Sequence, residues 1–218
     1  NSEERFSGRK VVVNLAPADL KKEGAAFDTL GTMYTMPMSK STEVLYYNAT
    51  FFAEHNLSVP KTWDEMKALC AKLLTIDPDC IPLGYDSEAN WFIPMCEQLG
   101  TGYTTNDPDN HFVFDNEENR AFVTRFRDWY QKGYVTTQEL YGAYTSQLFT
   151  TTTDSTKGSA YMCIGSTGGA MHQAPEAVDG VYPFEVGIAP IPQVNPENPK
   201  AISQGPSLCI FENANKKE

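Results

Sequence analysis

The sequence predicts an α/β fold, and three observations carry the prediction. Short runs rich in β-branched and aromatic residues alternate with longer stretches whose apolar residues recur at helical spacing. Most of those longer stretches open on a Ser, Thr, Asp or Asn, and two close on a Gly. No internal repeat is visible along the 218 residues. Strands alternating with helices are the pattern of layered α/β domains.

Taken in order, residues 1–32 read as irregular, broken by a short apolar run at Val11, Val12 and Val13. Met33 to Met38 leads into a polar patch, Ser39, Lys40, Ser41 and Thr42, and then into Val44, Leu45, Tyr46 and Tyr47, which suit a strand. Asn48 is placed to cap a helix from Ala49 to about His55. Thr62 and Glu65 in T-W-D-E predict a capping box. The stripe Met66, Leu69, Cys70, Leu73 and Leu74 behind it predicts one buried helical face. Ile81, Leu83 and Tyr85 read as a short strand. Asp86 or Ser87 caps the next helix, which carries Trp91, Phe92 and Met95 and stops at Gly100. Phe112 to Phe114 looks like a strand end. Asp115 and Glu118 are expected to open a further helix with Phe122, Phe126, Trp129 and Tyr130 on one face and Gly133 as its stop. Tyr144 to Phe149 predicts a shorter helix, and the Thr-rich run from Thr150 a polar loop. Ser159 to Ile164 and Glu185 to Ala189 predict strands. Pro190 to Pro199 is too rich in Pro for a regular element. Ala201 to Phe211 reads as extended, with a helix beginning at Asn213.

Composition bounds the function. Hydrophobic residues make up 41% and charged residues 21%, ordinary for a globular protein with a sizeable core. A net charge of −11 argues against nucleic acid and anionic membrane surfaces as partners. No run reaches the length of a transmembrane helix. Aromatic residues reach 12%, which fits a carbohydrate-type pocket or a core built from large side chains. Five cysteines, Cys70, Cys80, Cys96, Cys163 and Cys209, leave at least one thiol unpaired within a monomer. Their apolar surroundings point to buried free thiols rather than disulfides. With no ligand spacing among them and three scattered His, no metal or other cofactor is expected.

Two stretches offer chemistry. The patch Ser39 to Thr42 sits where a strand begins, a place from which polar side chains hydrogen-bond a ligand. Gly165 to Gly169, G-S-T-G-G, is neither a nucleophile elbow nor a Walker loop. It is a strand feeding a small-residue turn, whose backbone N–H groups offer a hold for an oxygen-rich or anionic ligand. The alternative at each is an ordinary loop or a tight turn.

The block MPMSKSTEVLYYNATFFAEHNLSVPKTWDEM resembles the family 1 extracellular solute-binding proteins of bacterial ABC importers. Members carry an L-P-type turn, a polar patch, x-L-Y-Y-N, a helix and then P-K-T-W-D-E. Met36, Pro37, Leu45, Tyr46, Tyr47, Asn48, Pro60, Lys61, Thr62, Trp63, Asp64 and Glu65 match that run. The later segments G-S-A-Y-M-C-I-G-S-T-G-G, V-G-I-A-P-I-P and I-S-Q-G-P-S-L-C-I-F are similar to the family in the same order. The likeness covers nearly the whole chain and is weakest over residues 1–30.

The resemblance implies a periplasmic-binding-protein-like type II fold, here one lobe with its hinge segments. Residues 1–43 would be the tail of lobe 1 and the first hinge crossing, 44–200 lobe 2, and 201–218 the second crossing. Members begin with an export signal, often a lipoprotein one, and a complete first lobe, so a fragment carrying mainly lobe 2 is expected. The implied function is non-catalytic capture of a carbohydrate-type solute by a monomeric receptor outside the cell or in the periplasm, delivering to an ABC permease. Ligand residues are expected at Ser39, Lys40, Ser41, Thr42, Asn90, Trp91, Ser166, Thr167 and Gly168. Trp91 is expected to stack on a sugar, as an aromatic near this position does in the family, or else to fill the helix-to-sheet core. Trp63 and Trp129 belong to packing stripes.

Glycerol-phosphate-binding members look similar at the Ser/Thr patch and the Ser/Gly turn, which keeps a phosphorylated polyol open beside a neutral sugar or oligosaccharide. No arginine lies in either segment. An enzyme acting on carbohydrate, with carboxylates such as Asp86 and Glu88, and a sensory receptor of the same fold are the other readings.

Overall fold

A computed structural model describes residues 35–105, 107, 109–151 and 159–209. The expectations for residues 1–32, for most of the Thr150 loop, for Ile210 and Phe211 and for the helix at Asn213 lie outside them. The chain divides into two compact units, one of Asn1–Lys40 with Gln204–Glu218 and the other of Ser41–Ser203.

In the first unit, β1 (Met36–Pro37) pairs antiparallel with β7 (Ser207–Leu208), Met36 opposite Leu208. The Met38 N–H donates to the Pro206 carbonyl at 3.0 Å.

The second unit is built on a five-stranded mixed sheet in the order β4-β3-β5-β2-β6. Its strands are β2 (Glu43–Asn48), β3 (Ile81–Tyr85), β4 (Val135–Thr137), β5 (Ala160–Ser166) and β6 (Val186–Pro190). β4, β3 and β5 run parallel, whereas β2 is antiparallel to both β5 and β6. β5, central and buried along nearly its whole length, is the near-continuous apolar run expected of a strand covered on both faces. Alternation on β2 sends Leu45 to one buried cluster and Tyr46 to the other.

Most helices form where their caps dictate. The Asn48 side chain accepts from Phe51 N–H and starts α1 (Ala49–Glu54). Thr62 and Glu65 make the reciprocal capping box of α2 (Trp63–Ile76), which buries Trp63, Met66, Leu69, Cys70 and Leu73. Ser87, not Asp86, caps α3 (Glu88–Leu99), and Gly100 ends it in the left-handed conformation. α4 (Glu117–Gln131) is capped by Asn116, one residue later than expected. Asp115 instead pairs with Arg120 at 2.6 Å on the surface. Phe112 to Phe114 form no strand, only an isolated bridge from Phe112 to Thr104. β4 and α5 (Gln138–Tyr141) have no counterpart among the sequence expectations, and α6 covers Ser146–Thr150 rather than Tyr144 to Phe149. β4 is three residues with little period of its own, and tertiary pairing to β3 makes it a strand.

None of the five cysteines forms a disulfide. Four are buried, but Cys209 is exposed and lies in no strand. Trp63 and Trp129 are core, as expected. Gln98 ties the Pro-rich loop down: its side chain accepts from Trp63 Nε1 and Val194 N–H and donates to the carbonyls of Pro192 and Lys200. No helix among the described residues is long and apolar enough to cross a membrane.

Candidate ligand-binding site

The antiparallel register of β2 and β5 sets Glu43 opposite Ser166. It therefore brings the residues just before β2 against those just after β5. Thr167 N–H donates to the Thr42 carbonyl at 2.8 Å, and Thr42 N–H donates to Thr167 Oγ1 at 3.2 Å. Ser41 Oγ lies 3.1 Å from Thr167 Oγ1 and accepts from Gly168 N–H at 3.0 Å. Ser166 Oγ caps a short 3-10 helix, Thr167–His172, by accepting from Gly169 N–H at 3.2 Å. Five residues expected from the sequence, Ser41, Thr42, Ser166, Thr167 and Gly168, thus come together in one rim, half-buried at the first three and exposed at the last two, and all but Gly168 carry a hydroxyl. Hydroxyls donate and accept, which suits a solute that is itself rich in hydroxyls.

The Gly turn corrects one expectation. Its first N–H groups are not open to a ligand, since those of Thr167, Gly168 and Gly169 all have partners within the chain. What the rim presents is side-chain oxygen, not an empty helix terminus.

Beneath the rim lies a buried polar cluster. Glu43 is 2% exposed. Its carboxylate accepts from the Tyr85 hydroxyl at 2.8 Å and is also hydrogen-bonded by the Asn90 side chain. Burial pushes the Glu43 carboxyl up to about 7, against the lowering effect of those two hydrogen bonds, and the nearby Asp86 charge adds to the rise. Tyr85, fully buried, is held well above the usual phenol range by burial and by Glu43.

Asp86 sits one residue past β3 and organises a second set of contacts. Its Oδ1 accepts from Thr145 N–H and Oγ1, both at 2.7 Å, and from Ser146 N–H at 3.2 Å. Its Oδ2 accepts from Gln173 Nε2 at 3.2 Å. The cluster presses on the strands. A Cβ on Gly84 would meet Thr145 Cβ at 2.6 Å, and one on Gly165 would meet Gln173 Nε2 at 2.8 Å and Asp86 Oδ2 at 2.9 Å. Glycine at 84 makes room for Thr145, and a side chain at 165 would displace the Gln173 and Asp86 ends from where they bond. Burial, first, and the Asp86 charge raise the Cys163 thiol well above its ordinary range, which keeps it an inert structural group.

The other expected residues fall differently. Ser39 and Lys40 are exposed and belong to the first unit. Asn90 is half-buried in the first turn of α3, where its side chain meets Glu43. Trp91, the expected stacking platform, takes the core alternative. It is 9% exposed, stacks on Phe126 with ring centroids 4.2 Å apart, and meets Phe122 edge-on at 5.3 Å. A helix repeats every 3.6 residues, so the side chain after Asn90 turns about 100° away, here into the α3–α4 interface. Glu43 and Tyr85 were missed as site residues. The only signal was a charge directly ahead of V-L-Y-Y, where the register of a buried sheet places it inside.

The carboxylates weighed for hydrolysis are both engaged by backbone N–H groups, Asp86 by those of Thr145 and Ser146 and Glu88 by that of Glu139 at 2.9 Å. Among the described residues no group of three or more His, Cys, Asp and Glu gathers as a metal site would.

A family model described as a bacterial extracellular solute-binding protein matches residues 4–218. A search of curated proteins returns no match. Among solved structures the chain is similar to the GacH receptor of Streptomyces glaucescens, solved unliganded and with acarbose. The TM-score there is 0.64 at 18% identity, over 97% of this chain and 54% of that one. Maltose-bound MalE3 of T. maritima gives 0.66 at 16% identity, over 94% and 50%. UgpB of Mycobacterium tuberculosis in complex with glycerophosphocholine gives 0.63 at 19% identity, over 90% and 50%. At such identities the likeness shows the fold, the periplasmic-binding-protein-like α/β architecture that the sequence predicts. The chain spans about half the length of these structures.

Proposed function

Since the chain belongs to the family of bacterial extracellular solute-binding proteins, we propose that it supplies one lobe of a receptor that captures a carbohydrate-type solute for an ABC importer. In this reading residues 44–200 are the lobe, and 1–43 and 201–218 carry the hinge crossings toward the rest of the receptor. The place of action is extracellular or periplasmic, by lipid anchor or free. The receptor is a monomer that hands its solute to a permease and performs no chemistry. Capture is by closure of two lobes about a hinge, which removes the solute from water.

The observation that carries the proposal is the rim of Ser41, Thr42, Ser166, Thr167 and Gly168, with Asn90 beside it. Side-chain hydroxyls and an amide, held in place by their own short hydrogen bonds, match the donors and acceptors of a sugar or polyol. Ser39 and Lys40 are proposed to add contacts from the chain just ahead of the rim. Trp91, packed against Phe126, is left to the core.

The test is a thermal-shift and calorimetric screen of the full-length receptor against maltose, maltotriose, ribitol, mannitol and glycerol phosphate. Binding of a neutral sugar or polyol supports the reading, and inertness to all five counts against it.

A second reading, a phosphorylated polyol, is favoured by one observation: the hydroxyl-rich rim belongs to a fold that in the M. tuberculosis UgpB structure holds glycerophosphocholine. Against it stand the satisfied N–H groups of the Gly turn and the lack of an arginine in either rim segment. Tight, salt-sensitive binding of glycerol phosphate in the same screen would select it.

A further inference from the structure

Glu43 is a costly residue to place where it lies. It is 2% exposed, and the charged and titratable groups acting on it among the described residues are Tyr85 on β3 and Asp86 just beyond it. From α3 it meets the neutral Asn90 amide, and from β5 it faces Ser166. No cation is among these groups. A buried carboxyl needed only for packing is readily replaced by Gln or an apolar residue, because an uncompensated buried charge is penalised. Here it bridges two side chains, one anchored in the core and one half-exposed beside the rim.

The geometry points to Glu43 as a positioning residue for solute capture: clamped between the Tyr85 hydroxyl and the Asn90 side chain, its carboxyl decides which end of the Asn90 amide is turned outward, and so ties the affinity for a hydroxylated solute to a proton. This rests on the capture reading above.

The chemistry follows from the donor inventory. An ionised Glu43 only accepts, so the Tyr85 O–H and the Asn90 NH2 both point to it and the Asn90 carbonyl oxygen faces out. A protonated Glu43 has one O–H to give. Tyr85 still donates to its other oxygen, the carboxyl O–H donates to the Asn90 carbonyl, and the Asn90 NH2 is released outward. The balance sits close to neutrality, since burial brings the carboxyl up to about 7. A solute seated on the rim removes the remaining water from above this cluster and disfavours the charged form further. Capture therefore takes up a proton, and by linkage affinity is higher below neutrality than above it.

The experiment uses the full-length receptor and has two readouts. The first, independent of any solute, is the NMR titration of the Asn90 side-chain amide. The expected result is a single transition near pH 7, absent in Glu43→Gln and moved upward in Tyr85→Phe, which removes a hydrogen bond to the charged form and keeps the ring. An Asn90 amide that is flat with pH in the wild type, or titrates unchanged in Glu43→Gln, overturns the proposal. The second is calorimetry between pH 5.5 and 8.5 with maltose or ribitol, whichever binds the wild type. The expected result is affinity about tenfold weaker at the high end, with Glu43→Gln flat at the low-pH value; tenfold corresponds to about 1.4 kcal/mol. Equal pH dependence in both proteins overturns the proposal while leaving the capture reading intact. A titrating Asn90 in a receptor inert to all five solutes of the screen above counts against the capture reading, and the coupling to a solute falls with it.

Discussion

Two regions of the same sheet are held by opposite means. Behind α3 and α4 lies an aromatic interior, Trp91 with Phe92, Phe122, Phe126 and Trp129, joined by ring contacts between 4.2 and 6.4 Å. At the ends of β2, β3 and β5 lies a polar cluster, Glu43, Tyr85 and Asn90 next to Asp86, Thr145 and Gln173, held by directional hydrogen bonds between 2.7 and 3.2 Å where distances are given. The first is tolerant in geometry but demands volume. The second is economical in volume but fails when one partner is lost, because the others stay buried and unsatisfied. The interior supports the fold, and the cluster supports the exposed rim above it.

That contrast is broken most directly in the interior. Trp91→Ala is expected to cost about 4 kcal/mol of stability through the cavity it leaves. Solute binding by the protein that remains folded is expected to be unchanged. Urea unfolding and calorimetry read the two effects separately, and a variant that melts normally yet binds poorly would return Trp91 to the site.

Asp86→Ala attacks the cluster. It strands Thr145 N–H, Ser146 N–H and Gln173 Nε2, and a loss of about 3 kcal/mol is expected. Asp86→Asn should recover part of it, since its remaining carbonyl oxygen still accepts. A urea midpoint unchanged in Asp86→Ala would show the cluster to be dispensable.

Glu43 makes the comparison sensitive to pH. Its folded value is raised from an ordinary 4.5 to about 7, so folding disfavours the charged form. Its contribution is best below 4.5, is lost as pH rises from there toward 7, and stays lost above. The full swing is about 3 kcal/mol, at about 1.4 kcal/mol per pH unit. Glu43→Gln is expected to flatten this part of the profile and to be the more stable protein at pH 8. Melting curves at pH 4.5, 6 and 8 check it, and a wild type that gains stability across that window through this residue would reverse the assignment.

The two regions also differ in how far the sequence discloses them. The interior is a matter of period. Trp91, Phe122 and Trp129 stand on stripes that a 3.6-residue repeat picks out, and the caps at Asn48, Thr62 and Ser87 are local patterns. The residues of the rim are legible in the same way, as a Ser/Thr patch and a Gly turn flanking recognisable strands. The cluster is not, because its bonds join residues far apart in sequence: Tyr85 to Glu43 across 42 positions, Gln173 to Asp86 across 87. Only the sheet register sets them together. Asn116 as the cap of α4 shows a smaller failure. The chain offers Asp115, Asn116 and Glu118 in close succession, and the choice falls on the side chain that can also reach the Val113 carbonyl at 3.1 Å.

The smallest expected effect on stability is at the rim. Ser41→Ala removes the acceptor of Gly168 N–H at a half-exposed site where water can replace it, and about 0.5 kcal/mol or less is expected. A much larger loss would make the rim a structural staple instead of a presenting surface.

The rim is also where the central claim is tested. In the full-length receptor, Ser41→Ala combined with Thr167→Ala removes both facing hydroxyls and leaves the Glu43–Tyr85 pair in place. Calorimetry against the sugar or polyol that binds the wild type is the measurement. The account predicts affinity at least tenfold weaker with melting behaviour nearly unchanged, since two hydroxyls that hydrogen-bond the solute together supply about 1.4 kcal/mol or more. Undiminished affinity in that double variant would contradict it and move solute capture away from this end of the sheet.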